Sequence, residues 1–318
     1  MLTSINKSCP LGSGSYGFVY EGVIQGGKKV AVKIVEIDKP KGVEFYAREY
    51  FLQREIKYLE MLNKLEDSGV VRLLNSNVMY IDERDMIRAK MIFELYDMDL
   101  TTLMKKRVLR SKEIVYLSYC IFKGTKNIHD LKILHRDLKP SNILIRNSKA
   151  KLEAVLSDLG LARHKSHCKY SPNVVTLWYR PPELLQISPN MERKYCFSVD
   201  VWSIGCMIAE MILGHSLFGE SPNRGKSHNE TTILRNIRAY FNVYDKDFLE
   251  GKDSDIVEEV DNYFKSCKEK IIRFSRRSLQ VYQIFERSLI YDSSQRIRSS
   301  EAYEILKAQI LQSSGEYT

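Results

Sequence analysis

Ile133-Leu134-His135-Arg136-Asp137-Leu138-Lys139-Pro140-Ser141-Asn142-Ile143-Leu144 is the stretch that decides how this chain reads. It follows Ser111–His129, where Ile114, Leu117, Ile121 and Ile128 recur at helical spacing and Ser111 can cap the first turn. A short hairpin around Arg146–Lys149 comes after it. The eight residues from His135 to Asn142 therefore occupy one loop between two regular elements. Asp137, Lys139 and Asn142 bring a carboxylate, an ammonium and an amide oxygen to that loop. Such a carboxylate can accept or orient a hydroxyl proton, the ammonium can neutralise a transferring phosphoryl group, and the amide oxygen can hold a magnesium ion.

Upstream, Leu11-Gly12-Ser13-Gly14-Ser15-Tyr16-Gly17-Phe18-Val19 contains G-x-G-x-x-G-x-V. A dinucleotide-binding turn carries a similar run but opens a helix. Here Phe18–Val23 alternates as a strand, and Gln25-Gly26-Gly27 turns it into a second strand, Lys29–Glu36. The glycines therefore read as a flap whose backbone N–H groups approach phosphate without Cβ clashes. Val30-Ala31-Val32-Lys33 lies on the second strand, and a lysine with apolar neighbours needs a counter-charge or a phosphate. The helix Glu44–Leu65 supplies candidates: Glu55 lies inside the Leu52/Ile56/Leu59/Leu62 stripe and is the chosen partner, with Glu49 at its edge as the alternative. Val70–Tyr80 and Met86–Tyr96 return to strand character around Asp82-Glu83-Arg84-Asp85. Downstream of the central loop, Ser157-Asp158-Leu159-Gly160 offers a second metal-binding carboxylate.

At 318 residues the chain exceeds the usual size of one hydrophobic core, and its character changes after Asp99. The expected class is α+β: a small sheet with one helix over residues 1–94, a connector over 95–99, and a larger, mainly helical part over 100–318. Helices are expected at Val199–Leu213, Thr231–Phe241, Asp255–Lys270, Leu279–Ile290 and Ser300–Gln312, with Gly219–Glu230 as a polar, exposed insertion. The six cysteines are scattered without a C-x-x-C pair, which argues against a disulfide framework or a zinc site. The most apolar run, Val201–Leu213, is too short to span a bilayer and carries Glu210; Met1–Pro10 lacks the features of a signal peptide. A soluble intracellular protein with no membrane partner is expected. The net charge of +9 is spread along the chain without a basic–aromatic stripe, so no direct nucleic-acid partner is expected either.

From about Ser4 to about Leu311 the chain resembles the eukaryotic protein kinase family. The glycine run, V-A-V-K, H-R-D-L-K-P-S-N, D-L-G, Pro181-Pro182-Glu183, Asp200-Val201-Trp202-Ser203-Ile204-Gly205 and Arg296 all occur in the family's order. The resemblance implies the bilobal protein kinase fold, ATP and Mg²⁺ as cofactors, and phosphoryl transfer to protein hydroxyls. It assigns the nucleotide to Leu11, Gly12, Ser13, Gly14, Ser15, Tyr16, Gly17, Phe18, Val19, Ala31 and Lys33, to Phe93 as gatekeeper, and to the backbone of Glu94 and Tyr96. It assigns the metal to Asn142 and Asp158, and catalysis to Asp137 and Lys139 with Lys33, Glu55 and Thr176. Leu159 replaces the usual phenylalanine of D-F-G but keeps an apolar side chain there. Lys139 speaks for a serine or threonine acceptor. A catalytically silent scaffold would lack one of Lys33, Asp137, Asn142 or Asp158, and all four are present.

Within the family, Val174-Val175-Thr176-Leu177-Trp178-Tyr179-Arg180-Pro181-Pro182-Glu183 and Phe93-Glu94-Leu95-Tyr96-Asp97-Met98-Asp99-Leu100 look like the cyclin-dependent group. Mitogen-activated kinases carry a tyrosine where Asn173 stands. In the cyclin-dependent group Arg180 belongs to a pocket accepting proline after the phosphorylated residue, which implies Ser-Pro or Thr-Pro protein substrates. Arg54, Arg136 and Arg163 match a phosphate-binding cluster, Ser171 the activating position, and Ser15 with Tyr16 an inhibitory pair. Asp158-Leu159-Gly160-Leu161-Ala162-Arg163 is similar to the Mediator-associated type that partners cyclin C. That likeness implies a transcriptional cyclin as partner and a nuclear location, with the cytoplasm as a second. A cell-cycle member of the same group is the alternative.

Overall fold

The alternation read in the first hundred residues becomes an antiparallel sheet. In the computed structural model, which describes residues 1–14, 17–38, 43–81, 86–147, 152–167, 175–185, 196–219, 229–243 and 254–312, its six strands are β1 (Leu2–Asn6), β2 (Gly12–Gly14), β3 (Gly17–Ile24), β4 (Lys29–Asp38), β5 (Leu73–Ile81) and β6 (Met86–Glu94). Their order is β1-β3-β4-β6-β5, with β2 paired to β3. β4 and β6 pair from Val30↔Glu94 to Asp38↔Met86, and Val30, Val32, Val35, Ile87, Ala89 and Met91 are fully buried along them. Because strand side chains alternate, Val30, Val32 and Ile34 pack on one face with Ile92, while Lys33 projects from the other. The helix α1 (Val43–Asn63) buries Leu52, Ile56, Leu59 and Leu62, the stripe expected from sequence.

The chain divides into two compact units, Met1–Leu100 with Asn142–Ala162, and Thr101–Ser141 with Arg163–Thr318. The segment Asn142–Ala162 thus groups with the sheet, although the sequence boundaries assign it to the helical part. It carries β9 (Ile143–Asn147) and β10 (Leu152–Leu156), which form a three-stranded sheet with β7 (Met98–Asp99). Val71 N–H donates to Leu156 O at 2.8 Å and Asp97 N–H to Ile145 O at 3.0 Å. The first of these bonds also explains why β5 begins at Leu73 and not at Val70, since Val70 and Val71 pair with Leu156 instead.

In the second unit the described helices are α2 (Leu100–Lys106), α3 (Ser111–Asp130), α4 (Pro182–Leu185), α5 (Ser198–Leu213), α6 (Glu230–Tyr240), α7 (Ser254–Ser275), α8 (Leu279–Ser288) and α9 (Ser299–Gln312). The strand β8 (Ile133–Leu134) pairs with β11 (Arg163–His164). Ser111 is not the cap of α3: Arg110 takes that place, and Glu113 accepts its N–H at 2.8 Å while also gripping the Arg107 guanidinium. Burial works to raise the Glu113 pKa, but Arg107 and Arg110 outweigh it and bring it to about 2. α5 is apolar nearly all round and is buried accordingly; it ends at Gly214, whose φ of 85° is the left-handed conformation a helix end favours. Among the described residues no helix is long and apolar enough to cross a membrane.

Gly205 inside α5 shows how close this packing is. A Cβ there would meet Leu289 Cγ at 2.8 Å and Ser288 Cβ at 3.0 Å, neither being the end of a flexible chain. Alanine favours a helix over glycine by about 1 kcal/mol, whereas overpacking of a filled core costs about 1–3 kcal/mol. Gly205→Ala is therefore expected to lower stability by up to about 2 kcal/mol, read as a lower midpoint in denaturant unfolding; a higher midpoint would contradict this packing account.

Candidate active site

Each unit holds one set of the residues picked out by sequence. In the first, β4 and α1 bring Lys33 Nζ to 2.7 Å from Glu55 Oε1 and 3.2 Å from Asp158 Oδ1. Of the two glutamates considered, Glu55 is the one paired with Lys33; Glu49 instead accepts a hydrogen bond from the Tyr80 hydroxyl. Burial works to lower the Lys33 pKa, but Glu55 and Asp158 outweigh it, so the ammonium is held above its ordinary value and stays charged. Asp158 has a φ of 56°, a left-handed conformation unusual for a residue with a side chain. Ser157 links it to Asn142: its N–H and Oγ–H both donate to Asn142 O, at 2.9 and 3.0 Å. Arg54 donates to Gly160 O at 3.3 Å and lies over the Phe51 ring at 4.8 Å.

The flap is a two-stranded ladder, Gly12↔Val19, Ser13↔Phe18 and Gly14↔Gly17, in which Leu11 N–H donates to Val19 O at 2.7 Å. Its tip, Ser15 and Tyr16, lies outside the described residues, as does Ser171. The third glycine of the motif has a reason beyond phosphate approach. A Cβ on Gly17 would sit 2.1 Å from the Ile34 carbonyl oxygen, so the backbone of β4 itself excludes any side chain there. At the end of the sheet Phe93 is buried and in register with Ala31. Beyond it Leu95 O accepts from Arg146 at 3.2 Å and Asp97 N–H donates to Ile145 O, whereas the backbone of Tyr96 stays out of these bonds. The Tyr96 ring lies 4.5 Å from the Arg146 guanidinium, and burial pushes its hydroxyl up to about 12.

In the second unit Asp137, Lys139 and Thr176 close a triangle. Asp137 Oδ1 accepts from the Thr176 hydroxyl at 2.8 Å and the Thr176 N–H at 3.1 Å. Lys139 Nζ lies 2.8 Å from Asp137 Oδ2 and donates to Thr176 Oγ1 at 2.9 Å. Arg136, at φ 67°, and His135 turn their backbone N–H groups onto the buried Asp200 carboxylate, at 2.8 and 2.9 Å. His129 Nε2 reaches the same carboxylate at 2.9 Å while its Nδ1 faces Ser299 Oγ at 2.8 Å. Burial works against charge on Asp200, but His129, His135 and the Arg136 N–H hold its carboxyl below the usual range. Arg163 on β11 pairs with Leu134, close in sequence to Arg136. Arg296 grips Glu183 of the P-P-E motif through two bonds of 2.7 Å.

Sequence reasoning did not assign Asp200 its part as holder of the catalytic loop. The signal was available: a carboxylate in the first turn of an otherwise apolar helix must find hydrogen-bond donors. It also missed the conformation of Val175, at φ 68°, whose carbonyl accepts from Arg180 Nε and Nη2 at 3.2 and 3.0 Å.

The chain matches the protein kinase domain over residues 5–309. It belongs to the protein kinase family. Mitogen-activated protein kinase 12 of Mus musculus is 32% identical over 301 residues, which is 92% of this chain and 75% of that protein. Cyclin-dependent kinase 12 of Caenorhabditis elegans is 35% identical over 235 residues, covering 71% of this chain and 30% of that protein. Cyclin-dependent kinase 14 of Oryctolagus cuniculus is 35% identical over 224 residues, covering 68% of this chain and 42% of that protein. The kinase sits among the relatives of the mitogen-activated and cyclin-dependent groups, and its architecture is the bilobal kinase fold.

Protein kinases use ATP with Mg²⁺, and so does this one. Its residues fit the metal: Asp158 and Asn142 offer a carboxylate and an amide oxygen, tied together through Ser157, and Mg²⁺ takes one or two protein oxygens beside phosphates and water. Lys33, charged and nearly buried, fits a phosphate oxygen.

Two outcomes follow from this geometry. Lys33→Met leaves Glu55 and Asp158 without their shared cation, so it is expected to lower thermal stability and to cut phosphoryl transfer by about 10²–10³. Adding Glu55→Met should recover much of the stability and none of the activity, measured by melting and radiolabel transfer. Asp200→Asn is expected to cost about 3–5 kcal/mol, because buried donors lose an anionic acceptor. The Asp200 pKa is depressed on folding, so its contribution is present above the ordinary carboxylate range and is lost as pH falls through the folded value. Acid unfolding of the variant should therefore be shallower than that of the wild type.

Proposed function

We propose that this kinase phosphorylates serine and threonine hydroxyls that precede proline, with a cyclin as its activating partner. The observation carrying the reading is the Val175 carbonyl. Val175 is a β-branched residue at φ 68°, a conformation that costs on the order of 1–3 kcal/mol, and its carbonyl is occupied by two Arg180 nitrogens. An oxygen so engaged offers no free acceptor to the N–H of a substrate residue passing beside it. Proline has no N–H and so leaves nothing unsatisfied.

The catalytic roles follow from the same chemistry. Asp137 orients the acceptor hydroxyl and takes its proton, and Lys139 faces the charge that develops on the transferred group. Thr176 fixes both side chains through the bonds already described, and the three together favour an alcohol acceptor. When bound, Mg²⁺ offsets phosphate charge, with Asn142 and Asp158 as its protein ligands. Lys33 holds a phosphate, positioned by Glu55. Phosphorylation of Ser171 is the activating modification that the family resemblance implies.

The cyclin reading is supported by relatives named cyclin-dependent kinases and by the W-Y-R-P-P-E segment. Its narrower form is a Mediator-type enzyme with cyclin C, acting in transcription and located in the nucleus. A mitogen-activated reading is favoured by the longer coverage of those relatives, 92% of this chain against 71%. Asn173, in place of a tyrosine, speaks against it.

The deciding assay follows ³²P transfer from ATP to a Ser-Pro peptide and its Ser-Ala twin, with and without a co-purified cyclin identified by mass spectrometry. Transfer that needs the cyclin and prefers Ser-Pro is expected. Full activity of the isolated chain would remove the cyclin, and equal use of both peptides would remove the proline requirement.

A further inference from the structure

Arg180 makes one more contact. Its Nη1 pairs with the carboxylate of Glu230, the first residue of α6, while Nε and Nη2 hold the Val175 carbonyl. The guanidinium side chain is 9% exposed and the glutamate 53%. An ion pair open to water on one side adds little to folding. Its geometry has a different consequence. A guanidinium is a flat fork, and this one is pinned at both ends, by a carbonyl on one edge and a carboxylate on the other.

Glu230 is itself held on a well-defined element. Asn229 caps α6, its side chain accepting from Thr232 N–H at 2.9 Å, and Asn236 donates to Phe218 O at 2.9 Å. A carboxylate in the first turn also suits the helix dipole. Among the described residues Glu230 is the one carboxylate paired with Arg180. Without it the fork loses the anchor that holds its plane against the carbonyl.

We propose that Glu230 is a positioning residue for acceptor-site selectivity: by holding Arg180 against the Val175 carbonyl, it keeps that oxygen closed to a substrate N–H. The proposal rests on the proline reading above and assigns part of the selectivity to a helix outside the catalytic loop.

The test compares kcat and KM for a Ser-Pro peptide and its Ser-Ala twin, using the kinase purified with its bound activator. Wild type, Glu230→Ala, Glu230→Gln, Glu230→Asp and Arg180→Ala are measured, each with a melting temperature. In Glu230→Ala and Glu230→Gln the Pro-to-Ala ratio of kcat/KM should fall by about tenfold, mainly through KM, with melting temperatures near wild type. Glu230→Asp should restore part of the ratio, which a purely structural role would not do. A ratio unchanged in Glu230→Gln but lowered in Arg180→Ala overturns this proposal and leaves the proline reading intact. A wild-type ratio near one overturns both.

Discussion

The second unit depends on a single buried carboxylate. Asp200 is 1% exposed and receives two backbone N–H groups from the catalytic loop and one imidazole from α3. Backbone donors are the significant part, because they fix the course of the chain and not merely a side chain. Arg136 can hold its left-handed φ since the anion rewards the N–H direction that this φ produces. One residue further on, Asp137 leaves the loop already aimed, and Thr176 and Lys139 complete its surroundings. The apolar helix α5 is thus both core and anchor.

A different balance operates in the first unit. Lys33, Glu55 and Asp158 form a network with one cation and two anions, the first two almost free of solvent. Such groups rarely add net stability compared with well-packed apolar residues. Their excess negative charge is what a divalent cation would relieve. The network therefore reads as a site prepared for an ion and a phosphate, not as a stabilising feature of the sheet.

How much of this was legible in the sequence depended on how local the cause was. The catalytic loop was legible because its residues are contiguous, and Glu55 because the apolar stripe around it fixes which face of α1 is buried. Two-residue strands such as β7, β8 and β11 are shorter than any period can reveal. Asp200 acts on backbone donors more than sixty residues away in the chain, as the 64- and 65-residue separations show, and composition does not encode a backbone direction. Ser111 was a reasonable cap by residue type, but the Glu113 carboxylate bonded to Arg110 N–H set the helix start one residue earlier. Glu230, at the edge of a polar insertion, reads in sequence as a solvated helix-end charge; its partner lies 50 residues before it.

The closed carbonyl at Val175 has a meaning for recognition that differs from ordinary complementarity. A pocket that fills space measures size, and a donor or acceptor measures a matching group. On the proposed function, the discriminating feature of the ligand would be a hydrogen atom it does not have, since the Val175 oxygen is already taken by Arg180. Under the proline reading the criterion is a tertiary amide, and the pyrrolidine ring is only the form in which natural chains supply one. Selection by omission of this kind leaves the rest of the acceptor sequence unread. An enzyme built this way relies on other surfaces to choose among the many chains that offer such a bond.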